Sequence, residues 1–167
     1  MTAVAQPTLT VWKFPTALGA AQAARGLEKL GSDQALVVEN AAFVAWASGT
    51  ATPRVHPLQL PGSPDTLSEG FWGLLFGIVF FMPLLGAAVG STTGTLTRPL
   101  ADVGIRDTFI NKVRDLVTPG SSALFALTAG DNDEIRTAVA AYGPTEVLFT
   151  HLTPEQLRAL RAVFGRA

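Results

Sequence analysis

From Thr8 to Phe14 the chain alternates, with Leu9, Val11 and Lys13 on one side and Thr10 and Trp12 on the other. This period of two in β-forming residues predicts a strand. From Ala17 to Leu30 the period changes: Ala20, Ala23, Leu27 and Leu30 recur at spacings of three and four, predicting a helix capped by Thr16 and stopped at Gly31. Ala41 to Ala47 and Arg54 to Leu60 read as the two strands of a hairpin, and Pro57 places the second at a sheet edge or shortens it. The breaker cluster Pro61 to Asp65 follows. Next comes the feature that sets the chain apart, Gly70 to Thr97, 28 residues without a charge.

Beyond that run the ordinary patterns resume. Ile105, Phe109, Ile110, Val113, Leu116 and Val117 form a helical stripe over Ile105 to Val117, ended by Pro119 and Gly120. Ser122 to Thr128 predicts a strand, and Asp131 and Glu134 stand at capping-box spacing before a helix that ends at Gly143 and Pro144. Glu146 to Thr150 predicts a strand. The last helix carries the clearest start signal: Thr153 as cap, Pro154 at the first helical position, Gln156 three residues after the cap, and Leu152 placed to staple to Leu157. Its predicted core side is Leu157, Leu160, Val163 and Phe164.

The predicted order is β-α-β-β, an apolar insertion, then α-β-α-β-α, which is an α+β fold. Its first six elements match the ferredoxin-like β-α-β-β-α-β unit, with α-β-α appended. A length of 167 residues suits one domain, residues 1–167, with 66–98 inserted within it.

The insertion is longer than the roughly 20 apolar residues a bilayer crossing requires. A single crossing is excluded if the strands before and after it share one sheet, because both flanks then lie in one compartment. Arg54 before the run and Arg98, Arg106, Lys112 and Arg114 after it give no orientation for one crossing either. Pro83 near the middle points instead to a helical hairpin, with Pro83, Leu84 and Leu85 at its tip, leading into Gly86, and arms at 67–82 and 87–96. An arm of about fifteen residues reaches ~22 Å at ~1.5 Å per residue, short of a ~30 Å hydrocarbon core.

Glycines four apart, Gly73 and Gly77, then Gly86, Gly90 and Gly94, give a smooth groove that lets helix backbones approach closely. Phe71, Trp72, Leu74, Leu75, Phe76, Ile78, Val79, Phe80 and Phe81 supply the apolar area of an association surface. Phe71 and Trp72 at the head of an arm also suit a membrane interface. The hydroxyls of Ser91, Thr92, Thr93, Thr95 and Thr97 make deep lipid burial of the second arm less favourable.

Composition narrows the function classes. With 12 Lys plus Arg against 13 Asp plus Glu, the chain has no basic footprint for nucleic acid. Zero cysteines removes disulfides, thiolate metal sites and cysteine nucleophiles. The first residues lack a basic region followed by an apolar stretch of signal-peptide length, so secretory targeting is not expected.

Candidate chemistry is sparse. His56 and His151 have no carboxylate or second histidine at ligand spacing and read as surface residues. Asp131, Asp133 and Glu134 lack EF-hand spacing and fit helix capping. Asp102, Arg106 and Asp107 read as a solvated helix start, with an ion pair between subunits as the alternative. Ser121 and Ser122 follow Gly120 without the GxSxG elbow or a His and Asp partner set. The glycines of the run have no phosphate-loop Lys or preceding strand, and Trp12, Trp46 and Trp72 need no ligand.

The segments GFWGLLFG (70–77), PLLGAAVGSTTGTL (83–96), ADVGIRDTFI (101–110) and PGSSALF (119–125) together resemble a bacterial family of unknown function. Its members are labelled uncharacterised membrane proteins and are related to general-stress-protein domains. The resemblance runs from about Thr8 to the C-terminus. It implies a ferredoxin-like domain bearing a glycine-zipper insertion, and it brings no reaction and no catalytic residue.

The expectation is a non-enzymatic, homo-oligomeric protein without cofactor or small-molecule ligand, cytoplasmic or bound to the cytoplasmic side of a membrane, whose hairpin meets other hairpins and lipid. The alternative is a soluble self-assembling ring or shell with hairpins buried between subunits.

Overall fold

A computed structural model describes residues 7–33, 38–58, 69–80, 105–128 and 133–164. In chain order the elements are β1 (Thr8–Phe14), α1 (Gly19–Asp33), β2 (Val38–Ala45), β3 (Arg54–Leu58), α2 (Glu69–Phe80), α3 (Asp107–Leu116), β4 (Ser122–Thr128), α4 (Asp133–Ala140), β5 (Glu146–His151) and α5 (Pro154–Phe164). The strands form one antiparallel sheet in the order β3-β2-β4-β1-β5. This is an α+β fold, as the pattern predicts.

Two of its connections have the same form. Strands β1 and β2 both pair antiparallel with β4, so they are parallel to each other, joined by α1, with β4 inserted between them. Strands β4 and β5 both pair antiparallel with β1, so they too are parallel, with α4 in their connection and β1 between them. The first-six reading gives the place between β1 and β2 to the third strand. Instead β4 holds it and β3 lies outside β2. Composition explains the exchange: SALFALT is buried at every position of β4, whereas Arg54, His56 and Pro57 suit β3 to an edge.

The sheet is covered on both faces, and side-chain alternation divides the core in two. Trp12, Phe14, Leu124 and Ala126 point to α1, which contributes Ala20, Ala23, Ala24 and Leu27, and to α4, which contributes Ile135 and Val139. Leu9, Val11, Ala42, Val44, Phe125 and Leu127 point the other way, to α2, α3 and α5. Every member of the α3 stripe that the periodicity predicts is buried.

The ends of the helices refine the sequence reading. Helix α1 begins at Gly19 and continues through Gly31 to Asp33. Its start is organised by Ser122 at the head of β4, rather than by the side chain of Thr16. The Ser122 hydroxyl accepts from the Ala20 amide at 2.9 Å and donates to the Thr16 carbonyl at 2.7 Å. At α5 the predicted capping box is present: the Gln156 amide donates to Thr153 Oγ1 at 3.0 Å and the Thr153 amide to Gln156 Oε1 at 2.8 Å, with Leu152 and Leu157 buried beside it.

Candidate association site

The apolar run enters the structure as α2, whose twelve residues contain no basic residue and one acid, Glu69. A helix that is apolar nearly all round needs cover on nearly all sides. The sheet provides much of it. Trp72, Leu75, Phe76, Val79 and Phe80 are each 8% exposed or less, packed on the face formed by Leu9, Val11, Val44 and Phe125. Phe76 meets Phe125 edge-on with ring centroids 4.7 Å apart, and Trp72 meets the same ring at 6.3 Å. These geometries suit the aromatic quadrupole, which favours edge-to-face contact.

Polar contacts fix the helix in direction. At its first turns the buried Trp72 indole N–H donates to Asn40 Oδ1 of β2 at 2.6 Å, beside the register irregularity between Val38 and Asn40. At its last turn the Phe80 ring lies edge-on to Trp46, centroids 5.8 Å apart, just past the end of β2. Helix α2 therefore runs along β2 in the same sense. Helix α3 ends at that same end of the sheet, because the Gly120 amide, reached by a short turn from Leu116, donates to the Trp46 carbonyl at 2.6 Å. Gly120 makes that turn with φ of +86°, a conformation that glycine adopts without strain. Arg114 of α3 then donates from Nε to the Val79 carbonyl at 2.8 Å, satisfying one of the acceptors left open at the end of α2. The two helices lie side by side and point the same way.

This placement corrects part of the sequence reading. Trp72, Leu75, Phe76, Val79 and Phe80 do not form a surface held out to a second copy or to lipid, because their area is already used inside the chain. The energetic reason is proximity: β1 and β4 are apolar on both faces, and α2 covers the face that α1 and α4 leave open. That double-sided burial was a readable signal for a second helical layer. Phe71, Gly73, Leu74 and Ile78 also lie on α2, and Gly77 there is buried. Phe81, Pro83, Leu84, Leu85, Gly86, Gly90 and Gly94 lie outside the described residues.

The remaining candidates do not gather into one site. His56 is exposed and stacks on Phe43 with centroids 4.7 Å apart, at the β3 edge. His151 is exposed at the opposite edge, its Nδ1 2.9 Å from Thr8 Oγ1. Arg106 and Asp107 are exposed at the start of α3, and Asp107 sits in its first turn where the helix dipole favours an acid. Asp102 and Asp131 lie outside the described residues, while Asp133 and Glu134 open α4. Ser121 and Ser122 are both occupied by backbone: Ser121 Oγ donates to the Thr118 carbonyl at 2.6 Å, and Ser122 holds the start of α1. Among the described residues no three metal-ligating side chains converge, and no helix is long and apolar enough to cross a membrane.

A model of the family described as "protein of unknown function (DUF1269)" matches residues 66–165, which takes in α2 through α5. No curated protein and no solved structure matches the chain.

Proposed function

From the premise that the chain belongs to this family of unknown function, we propose that it is a non-enzymatic, self-associating protein. Its association element is the part of the apolar run that follows α2. The body is read as ferredoxin-like, built from the split units β1-α1-β2 and β4-α4-β5, with β3, α2, the run and α3 inserted between them.

One observation carries this reading: α2 and α3 point the same way on one face of the sheet. Phe80 and Ile105, the described residues that flank 81–104, therefore lie toward opposite ends of the layer. A return arm at 87–96 spans ~15 Å at ~1.5 Å per residue, close to the ~18 Å length of a twelve-residue helix. The arm carries Gly90 and Gly94, and Gly86 immediately precedes it, so a helix there offers a glycine groove to a second copy. Residues 81–97 hold no charge, and both ends of the segment are tied to one body. Contact with lipid would then be entry and exit through a single leaflet, on the cytoplasmic side. The proposed ligands of the element are other copies and lipid.

A second reading, a soluble ring or shell, is favoured by the hydroxyls of Ser91, Thr92, Thr93, Thr95 and Thr97. Flotation with vesicles of neutral and anionic phospholipid, together with detergent-free mass measurement, separates the two. The membrane reading predicts chain in the vesicle layer after a carbonate wash. A discrete oligomer that stays at the bottom of the gradient favours the ring or shell, and a monomer that stays there contradicts both.

A further inference from the structure

The two edges of the sheet are unlike. Edge strand β3 is blunted in the ways that discourage edge pairing: Pro57 offers no amide, and Arg54 and His56 are exposed along it. Edge strand β5, EVLFTH, has no Lys, Arg, Pro or register irregularity. Val147 and Phe149 are 50% and 60% exposed, on the sheet face shared with Thr10 and Trp12.

Among the described residues no further strand pairs with the outer side of β5. The Leu152 amide donates to the Pro7 carbonyl at 2.7 Å, which makes 7 and 152 a hydrogen-bonded pair. Such pairs alternate in an antiparallel ladder, so Thr150 and Leu148 turn their amides and carbonyls toward β1. Val147 and Phe149 turn theirs outward.

We infer that this edge pairs antiparallel with β5 of a second copy, about a two-fold axis through Leu148, to give a continuous ten-stranded sheet. The choice of occupant comes from the sequence itself. Read outward from Leu148, the strand is symmetrical in polarity, Val147 and Phe149 apolar on either side and Glu146 and Thr150 polar beyond them. An isologous two-fold contact requires that symmetry. It places Val147 opposite the second copy's Phe149, twice, a β-branched and aromatic cross-strand pair of the favourable kind. Glu146 falls opposite Thr150, so no like charges meet. This surface lies on β5, far along the chain from the glycine segment, and stands independently of it.

Sedimentation velocity on the full chain over a concentration series tests the pairing. In a Gly90→Leu background, which removes the glycine groove, the pairing predicts a dimer of twice the 17.5 kDa chain mass, and adding Phe149→Lys reduces it to the single chain. A monomer before that addition, or a dimer that survives it, overturns the pairing. Failure of the glycine reading is seen separately, as a wild-type assembly that Gly90→Leu leaves unchanged. Because the chain has no cysteine, Leu148→Cys in the wild-type background gives an independent arm. Opposed non-hydrogen-bonded residues have Cα atoms ~4.5 Å apart, within disulfide reach. Mild oxidation should give a covalent dimer at least tenfold faster than for the exposed control Ala51→Cys. Equal rates overturn the pairing.

Discussion

Phe76 sits where three rings and two elements meet, stacked on Trp72 at 5.6 Å and edge-on to Phe125 at 4.7 Å, with about 1% of its surface exposed. Truncating so large a buried side chain removes its transfer free energy and leaves a cavity, together costing about 3–5 kcal/mol. Phe76→Ala is accordingly expected to lower the urea midpoint of the chain without lipid or assembly being involved; an unchanged midpoint would mean that α2 does not belong to the folded core. Ser122 is the second residue on which a large part of the fold turns, since one fully buried hydroxyl ties the first turn of α1 to the head of β4. Ser122→Ala should cost about 1–2 kcal/mol in the same measurement, the usual range for a lost cap. The sequence offered Thr16 for this task because it stands next to the helix. A partner 102 residues away leaves no local trace, and only the folded sheet brings it there.

At the level of elements, β1 and β4 were legible to the residue because their runs are rich in β-formers and bounded by breakers. The stripe of α3 and the capping box of α5 were legible for the same reason: each is a local pattern with a local cause. The role of α2 was not, because hydropathy reports that a helix avoids water and says nothing of what replaces it. Lipid, a second copy and the chain's own sheet are equally apolar. What distinguishes them is Asn40, a polar residue on β2 placed to receive the Trp72 indole, and the apolar undersides of β1 and β4. Seated in this way, α2 should exchange its amide hydrogens as slowly as β4 in dilute, lipid-free protein, because both would open only with the core. Exchange of residues 72–80 at the rate of an exposed helix would contradict its place in the layer.

For the whole molecule, the sheet is a platform with helices on both faces, and the proposed function divides the apolar run in two. Its first part completes the core. Its second part, whose flanking helices point the same way, is the association element in the function proposed above, and this division is the central claim. The sequence showed the run and its glycines but could not show the division, which depends on the direction of α2 against β2. Its most direct test is the sedimentation of the full chain beside Gly90→Leu and Gly77→Leu, with melting followed in parallel. A leucine at 90 should abolish the higher assemblies while leaving the melting temperature unchanged, and one at the buried position 77 should instead lower the melting temperature by several degrees. If Gly90→Leu leaves the assemblies intact, or if Gly77→Leu dissolves them without loss of stability, the division is wrong.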